Sequence, residues 1–179
     1  VGSPPIYMAK KMGYSNTIFS ERNLRPMPLS AETALLSLID EHLSAGRPLT
    51  LAIDGCCAAG KTTLALRLQQ RYGCPVFHAD DYFLQPHQRT PQRLSQAGGN
   101  MDRERLLQEV LLPLSRGKDV VFRRFDCSAM ALRPPVRVPY VPFQIVEGTY
   151  CMHPELAPYY TASVFLRISP AEQRRRIER

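Results

Sequence analysis

Apolar and polar residues follow two patterns along this chain, one typical of helices and one typical of buried strands. Apolar residues at helical spacing predict helices over 31–44, 63–72 and 102–114, and a Ser-Pro start predicts another helix from 170. Short apolar runs predict strands at 49–53, 74–79, 120–122, 143–148 and 163–168, and alternation suggests a small peripheral hairpin around 136–138. From residue 31 onward, helices and strands are therefore expected to alternate.

The first 29 residues show neither pattern. They contain prolines at positions 4, 5, 26 and 28, and they mix polar with apolar residues without a sustained period. We predict an irregular N-terminal leader over 1–29, followed by one domain over 30–179 that is long enough to bury a core.

The segment from Gly55 to Thr62 fits the pattern G-x-x-x-x-G-K-[ST] at every fixed position. Glycines let the backbone turn tightly, so that several N–H groups point into one concavity, and the following helix adds the positive end of its dipole. Lys61 can then reach the β- and γ-phosphates of a nucleotide, and Thr62 can ligate Mg²⁺. We predict nucleotide binding by Gly55, Cys56, Cys57, Ala58, Ala59, Gly60, Lys61, Thr62 and Thr63.

Carboxylates stand at the ends of two predicted strands. Asp80 and Asp81 follow one of them, at the end where ligands dock in open α/β sheets. We interpret this pair as a general base or a Mg²⁺ relay aimed at an acceptor hydroxyl; the alternative is a pair of helix caps. Glu147 ends the other strand, where it could position Mg²⁺ together with Thr62; the alternative is a surface residue at a turn. Strand alternation directs His78 to the other face and predicts a structural role for it.

Several other polar residues have both a functional and a structural interpretation. Arg89 lies in the long polar stretch 84–100, and it could hold substrate or phosphate or belong to a solvated surface. Asp102 could serve the substrate or only cap the helix that it begins. The last helix is rich in arginine, which could clamp a transferring phosphate as part of a lid or form a solvated face: Arg174, Arg175, Arg176 and Arg179.

Charge and cysteine content narrow the choice of function class. A net charge of +7 and a pI near 9.4 fit an enzyme that handles phosphates, and they also fit nucleic-acid binding. No basic patch interleaved with aromatic residues supports nucleic acid, and no Asn-Lys-x-Asp element supports a guanine switch. No apolar run approaches a membrane span, and the N-terminus lacks the apolar core of a signal peptide. Five cysteines without zinc-ligand spacing predict a reduced, cytoplasmic protein with no membrane partner.

Four further motifs extend the phosphate loop into an ordered set. They read His78-Ala79-Asp80-Asp81-Tyr82-Phe83, Gly98-Gly99-Asn100-Met101-Asp102-Arg103-Glu104-Arg105, Arg123-Arg124-Phe125-Asp126-Cys127 and Val146-Glu147-Gly148-Thr149-Tyr150-Cys151-Met152-His153-Pro154. On these motifs, the chain from 49 to 179 resembles the uridine kinase/phosphoribulokinase-like branch of P-loop kinases, and within it the bacterial uridine-kinase-like proteins.

The resemblance implies a P-loop NTPase fold, a three-layer αβα sandwich around a five-stranded parallel sheet. It implies ATP and Mg²⁺ as cofactors and a hydroxylated small molecule as acceptor. Asp80 matches the family's base and Glu147 the acid of its metal site. The terminal arginines match the start of a lid, which would be cut short at Arg179. On this basis we predict that Arg175 contacts the nucleotide and that five residues contact the acceptor: Asp81, Tyr82, Arg89, Asp102 and Asp126.

The sequence therefore predicts an ATP-dependent phosphotransferase in which Lys61 and Asp80 carry the catalysis and Thr62 and Glu147 hold the metal ion. Its acceptor is predicted to be a small molecule with a free hydroxyl, such as the nucleoside uridine. The alternative is a nucleotide-sensing or nucleic-acid-associated P-loop ATPase that works through its basic surface. We do not expect nucleic acid as a partner, and formation of a homo-oligomer is left open.

Overall fold

The computed structural model describes residues 6–10 and 31–178, with side chains described over 31–178. The strands are β1 (Ile6–Lys10), β2 (Leu49–Gly55), β3 (Val76–His78), β4 (Val120–Phe122), β5 (Phe125–Asp126), β6 (Ala131–Leu132), β7 (Val136–Val138), β8 (Phe143–Glu147) and β9 (Ala162–Leu166). The helices are α1 (Ala31–Ser44), α2 (Lys61–Tyr72), α3 (Pro91–Leu94), α4 (Arg103–Leu106), α5 (Leu112–Ser115) and α6 (Pro170–Ile177). A π-helical turn, Leu107–Leu111, joins α4 to α5, and short 3₁₀ turns lie at Ala79–Asp81, Pro86–Gln88 and Ala157–Tyr159.

The central sheet has the strand order β1-β9-β2-β8-β3. The four strands β9, β2, β8 and β3 run parallel, and β1 pairs antiparallel with β9 at one edge. Helices cover both faces of the central sheet. Alternate residues of its buried strands therefore pack into two separate cores. One core joins the sheet to α1 and α2, through Leu35, Ile39, Leu51, Ile53, Leu64 and Leu68. The other joins it to the α4–α5 region, through Ala52, Phe77, Leu106, Val110 and Val146. The predicted three-layer α/β sandwich is confirmed.

Two strands differ from the sequence prediction. The parallel sheet has four strands, because the fifth strand of the sheet is the antiparallel β1, within the leader for which irregular structure was predicted. The other residues of 1–29 lie outside the described residues. The segment β4, predicted as a buried strand, pairs antiparallel with β7 in a separate two-stranded sheet. Its central residue Val121 is 51% exposed, so this strand buries only its two outer residues.

The parallel arrangement brings the ends of three strands to one edge of the sheet. Strand β8 pairs with β2 on one side and β3 on the other, so that Glu147 is opposite Ile53 and opposite His78. The phosphate loop follows β2 directly, and Asp80 follows β3. This edge is where open α/β sheets bind their ligands. In the described ranges 6–10 and 31–178, no helix is both long and apolar enough to span a membrane.

Candidate active site

The phosphate loop has the backbone that the motif requires. Gly55 packs so closely on the backbone of Leu166 that a Cβ atom would overlap its carbonyl oxygen. Helix α2 begins at Lys61, and the preceding Gly60 has a φ of 94° and no side chain that could cap the helix. The first N–H groups of α2 are thus left for an anion, as in other phosphate-binding loops. The Lys61 ammonium donates to the carbonyl oxygens of Gly55 and Cys56, at 3.1 and 3.0 Å.

A cavity of about 400 Å³ opens beside this loop. It is lined by residues of the loop and of two neighbouring strand ends: Cys57, Ala58, Ala59, Gly60, Lys61, Thr62, Thr63, Asp80, Glu147, Thr149 and Arg176. The predicted nucleotide residues from 57 to 63 therefore share one cavity with the predicted base and the predicted metal-site acid. Gly55 and Cys56 are not part of the cavity wall. Their carbonyl oxygens accept hydrogen bonds from the Lys61 ammonium.

Glu147 is the buried acid at the centre of this arrangement. One of its oxygens, Oε1, accepts a hydrogen bond from the Thr62 hydroxyl at 3.1 Å and pairs with Nδ1 of His78 at 2.6 Å. The hydrogen bond to Glu147 raises the pKa of His78, while burial opposes this rise. His78, predicted to point away, thus belongs to the same cluster as Thr62 and Glu147, the predicted metal-site residues.

The oxygen ligands at this site fit Mg²⁺. A hydroxyl and a carboxylate, supplemented by phosphate and water oxygens, are the ligands that proteins usually offer this ion. Across the described part of the chain, no group of three or more His, Cys, Asp or Glu residues could hold a metal ion by itself. The fit therefore depends on Thr62 and Glu147 acting together with a bound nucleotide.

Asp80 and Asp81 are separated by the turn that follows β3. The 3₁₀ turn Ala79–Asp81 brings Asp80 into the cavity wall. Asp81 instead lies 3.4 Å from the Arg124 guanidinium, and its backbone oxygen accepts a bond from Arg105. Burial raises the pKa of Asp81, and the charge of Arg124 opposes this rise. Of the two carboxylates, Asp80 is thus the one placed beside Lys61.

A buried carboxylate that the sequence analysis missed holds two loops of the site together. Asp54 accepts backbone hydrogen bonds from Gly55 at 2.6 Å, from Tyr150 at 3.2 Å and from Met152 at 2.9 Å. Burial raises the pKa of Asp54, and these hydrogen bonds lower it in part. Asp54 thus ties the phosphate loop to the segment that follows β8, which also carries Thr149 of the cavity wall.

Two predicted acceptor contacts are packing or capping residues in the structure. Tyr82 is 0% exposed, stacks on Phe122 and lies beneath the Arg105 guanidinium. Asp102 is buried and caps α4 by accepting from the backbone N–H and the Nε of Arg105. Neither side chain lies in the cavity wall, and Asp102 forms the helix cap that the structural interpretation expected. Acceptor contacts by Tyr82 and Asp102 stay predictions.

The other predicted acceptor residues lie outside the cavity wall and stay predictions. Asp126 accepts hydrogen bonds from the backbone N–H groups of Ala129 and Ser128 and from the Arg133 guanidinium. These bonds lower the pKa of Asp126, with the largest effect from Ala129 and the smallest of the three from Arg133. The Arg89 guanidinium donates to the Leu84 carbonyl oxygen at 3.0 Å.

Helix α6 contributes Arg176 to the cavity wall, whereas the sequence analysis selected Arg175. Arg176 lines the cavity and donates to the Ala58 carbonyl oxygen at 3.1 Å, while Arg175 forms a two-pronged pair with Glu172 at 2.9 Å. Hydrogen bonds from Arg175 and Arg176 lower the pKa of Glu172 to about 2. The structure therefore places Arg176 in the cavity wall and Arg175 outside it, and contact between Arg175 and a nucleotide stays a prediction.

Comparison with known proteins defines the fold. No protein-family model matches the chain, and no curated protein does. Among solved structures, a protein from Bacillus stearothermophilus described as a "possible uridine kinase" is 22% identical, with a TM-score of 0.63 over 82% of this chain and 85% of that one. A "putative fructose transport system kinase" from Silicibacter sp. TM1040 is 23% identical, with a TM-score of 0.64 over 82% of this chain and 79% of that one. At this level of identity, the likeness establishes a shared fold.

Proposed function

We propose that this chain is an ATP-dependent kinase that moves the γ-phosphate of ATP to a hydroxyl of a small molecule. One observation carries the proposal: a single cavity brings Lys61, Thr62, Glu147 and Asp80 together. Phosphate binding alone needs only the loop and its lysine, whereas transfer to an acceptor also needs a base beside them. The fold shared with two proteins described as kinases supports the proposal.

The phosphate loop would hold the nucleotide. Its backbone N–H groups and the dipole of α2 favour negative charge, and Lys61 would exchange its two carbonyl partners for phosphate oxygens. Thr62 and Glu147 would hold Mg²⁺, which when bound offsets the charge of the β- and γ-phosphates. Arg176, already in the cavity wall, is the arginine that we assign to charge on the transferred group.

Asp80 would act on the acceptor. We assign it the proton of the acceptor hydroxyl, whose oxygen attacks the γ-phosphorus while the bond to the β–γ bridging oxygen breaks and ADP leaves. Its place in the wall of the same cavity suits this role, because the base must lie within reach of both the acceptor and the terminal phosphate.

We propose a nucleoside such as uridine as the acceptor. The support comes from the sequence motifs and from the shared fold with a protein described as a uridine kinase. We also propose that the protein works in the cytoplasm, which agrees with the five free cysteines.

The test is ADP release with MgATP, measured across uridine, cytidine, other nucleosides, fructose, pantothenate and pentose phosphates. We expect one acceptor class to raise the rate, and Lys61→Ala to lower that rate by at least about 100-fold. Lys118→Ala serves as the matched control, because Lys118 lies outside the cavity wall. Full turnover by Lys61→Ala would refute the assignment. Stimulation by RNA and by no small acceptor would instead support the nucleic-acid-associated ATPase.

A further inference from the structure

One of the shortest contacts in the site involves His78, to which the proposed mechanism gives no role. Nδ1 of His78 lies 2.6 Å from Oε1 of Glu147, and Thr62 donates to that same oxygen from 3.1 Å. We infer that His78 is a positioning residue, which fixes the orientation of the Glu147 carboxylate so that it can serve a nucleotide-bound Mg²⁺. This inference rests on the proposed function, because it assigns Glu147 to the metal site.

The sheet itself holds the donor in place. His78 and Glu147 are the last residues of adjacent parallel strands and are directly paired in register, so their side chains leave the sheet side by side. Strand β3 is anchored by the buried Phe77, whose ring packs edge to face on Phe122. The imidazole thus approaches Glu147 from a fixed backbone.

The carboxylate needs more than one donor. The Glu147 side chain is only 6% exposed, and a buried carboxylate is costly unless it is hydrogen-bonded. Donors from α2 and from β3 reach Oε1 from two different elements, which restricts rotation of the long glutamate side chain. Among the described residues, the other oxygen, Oε2, receives no hydrogen bond. His78 and Thr62 therefore hold one oxygen and leave the second for water or metal.

Without His78, Thr62 would be the only donor to Glu147 among the residues whose side chains are described, and Thr62 is itself assigned to Mg²⁺. Partners that orient a metal ligand in this way usually change metal affinity or activity by about 10–100-fold when they are removed. A purely structural histidine would instead affect folding, and it would affect nucleotide binding equally with and without the metal ion.

Three substitutions of His78 distinguish a positioning role from a purely structural one, because they differ in where they place a hydrogen-bond donor. His78→Asn keeps an N–H donor on the atom bonded to Cγ, as Nδ1 is in histidine. His78→Gln moves the donor one bond further out, closer to the position of Nε2, and His78→Ala removes it. His87→Ala is the control, because His87 is exposed and lies outside the cavity wall.

The measurement is ATP binding by calorimetry at fixed pH, without acceptor, over a range of Mg²⁺ concentrations. We expect the Mg²⁺ concentration for half-maximal enhancement of binding to rise about 10–100-fold in His78→Ala and His78→Gln. It should stay near the wild-type value in His78→Asn and His87→Ala. ATP binding without Mg²⁺ should be the same in all of these proteins.

The outcomes distinguish the inference from the proposed function. Wild-type Mg²⁺ dependence in His78→Ala, or equal losses with and without Mg²⁺, would overturn the inference while leaving the kinase proposal intact. If His78→Ala does not fold, the pair His78→Asn and His78→Gln decides, and equal behaviour of the two overturns it. A wild-type protein that binds no ATP would remove the proposed function, and the inference with it.

Discussion

The substitution Gly148→Ala tests how closely the turn that carries Asp80 packs against the residue that follows Glu147 at the end of β8. Gly148 has a φ of 143°, and a Cβ atom built on it would lie 2.5 Å from the Cβ of Ala79. The backbone nitrogen and Cα of Ala79 would lie at 3.3 and 3.4 Å. Ala79 directly precedes Asp80, so an added methyl group must push against the turn that positions the proposed base.

The size of the effect follows from two separate costs. A non-glycine residue in such a backbone conformation costs about 1–3 kcal/mol. The overlap with the Ala79 methyl adds about 1–3 kcal/mol, the usual cost of an extra methylene in a packed core. Gly148→Ala should therefore lower the free energy of unfolding by about 2–6 kcal/mol if the costs add. Ala79→Gly alone should cost about 1–2 kcal/mol, from a lost buried methyl and a freer backbone.

The double variant separates the two costs, because Ala79→Gly removes the overlap and leaves the backbone strain. We expect an interaction of about 1–3 kcal/mol in favour of the double variant, measured by urea unfolding of the four proteins in the cycle. Gly46→Ala is the control for strain without overlap, since Gly46 has a φ of 63° and nothing would lie within 4 Å of its Cβ. Additivity of the two changes to within about 0.5 kcal/mol would refute the close approach.

Two further predictions concern the carboxylates and the thiols. Asp80→Asn should lower phosphate transfer about 100-fold while MgATP binding survives, and Asp81→Asn should have little effect; the reverse result would assign the base to Asp81. Cys57, exposed in the cavity wall, should react with iodoacetamide near neutral pH and be protected by MgATP, as followed by mass spectrometry. Burial raises the pKa of the Cys74 thiol to about 11, so its labelling should become fast only as the pH approaches that value, because the thiolate is the reactive form. Equal labelling of both at neutral pH would contradict the burial of Cys74.

The sequence predicted those parts of the fold whose signals are local. The bounds of α1 agree with the prediction, because a serine before the helix and Gly46 after it mark both ends. The phosphate loop and the start of α2 also follow from adjacent residues. In contrast, the place of β4 depends on which distant strand it pairs with, and the proline-rich segment returns β7 to it. A run of three apolar residues carries no information on that partner.

The candidate site shows the same limit. Lys61, Thr62, Asp80 and Glu147, which share one cavity in the structure, were predicted because each stands at a fixed place in a motif. His78 was assigned to the other face because strand alternation was extended past the end of β3, where the chain already turns into the segment Ala79–Asp81. The observation that places His78 beside Glu147 is the pairing of the ends of β3 and β8. The spacing of residues within one strand does not reveal how two strands are paired.

The arginines show why helical spacing alone could not choose a ligand. Three arginines in a short polar helix, with no apolar stripe to define its inner face, left Arg175 and Arg176 equivalent in the sequence. The structure separates them through Glu172, which takes the two-pronged bond of Arg175 and leaves Arg176 shared between that acid and the Ala58 carbonyl oxygen.

Two cationic side chains, those of Lys61 and Arg176, hydrogen-bond to the backbone of the phosphate loop. Lys61 is held by two carbonyl oxygens of the loop, and Arg176 is held by a third. A carbonyl oxygen carries only a partial negative charge, whereas a phosphate carries a full one, so the phosphate attracts a nearby cation more strongly. A nucleotide phosphate could therefore draw both cations away from the backbone at a net gain, and the carbonyl groups that they leave border an open cavity where water can replace them. The two cations that we propose to bind phosphate thus also bridge three carbonyl oxygens of the loop when no phosphate is bound.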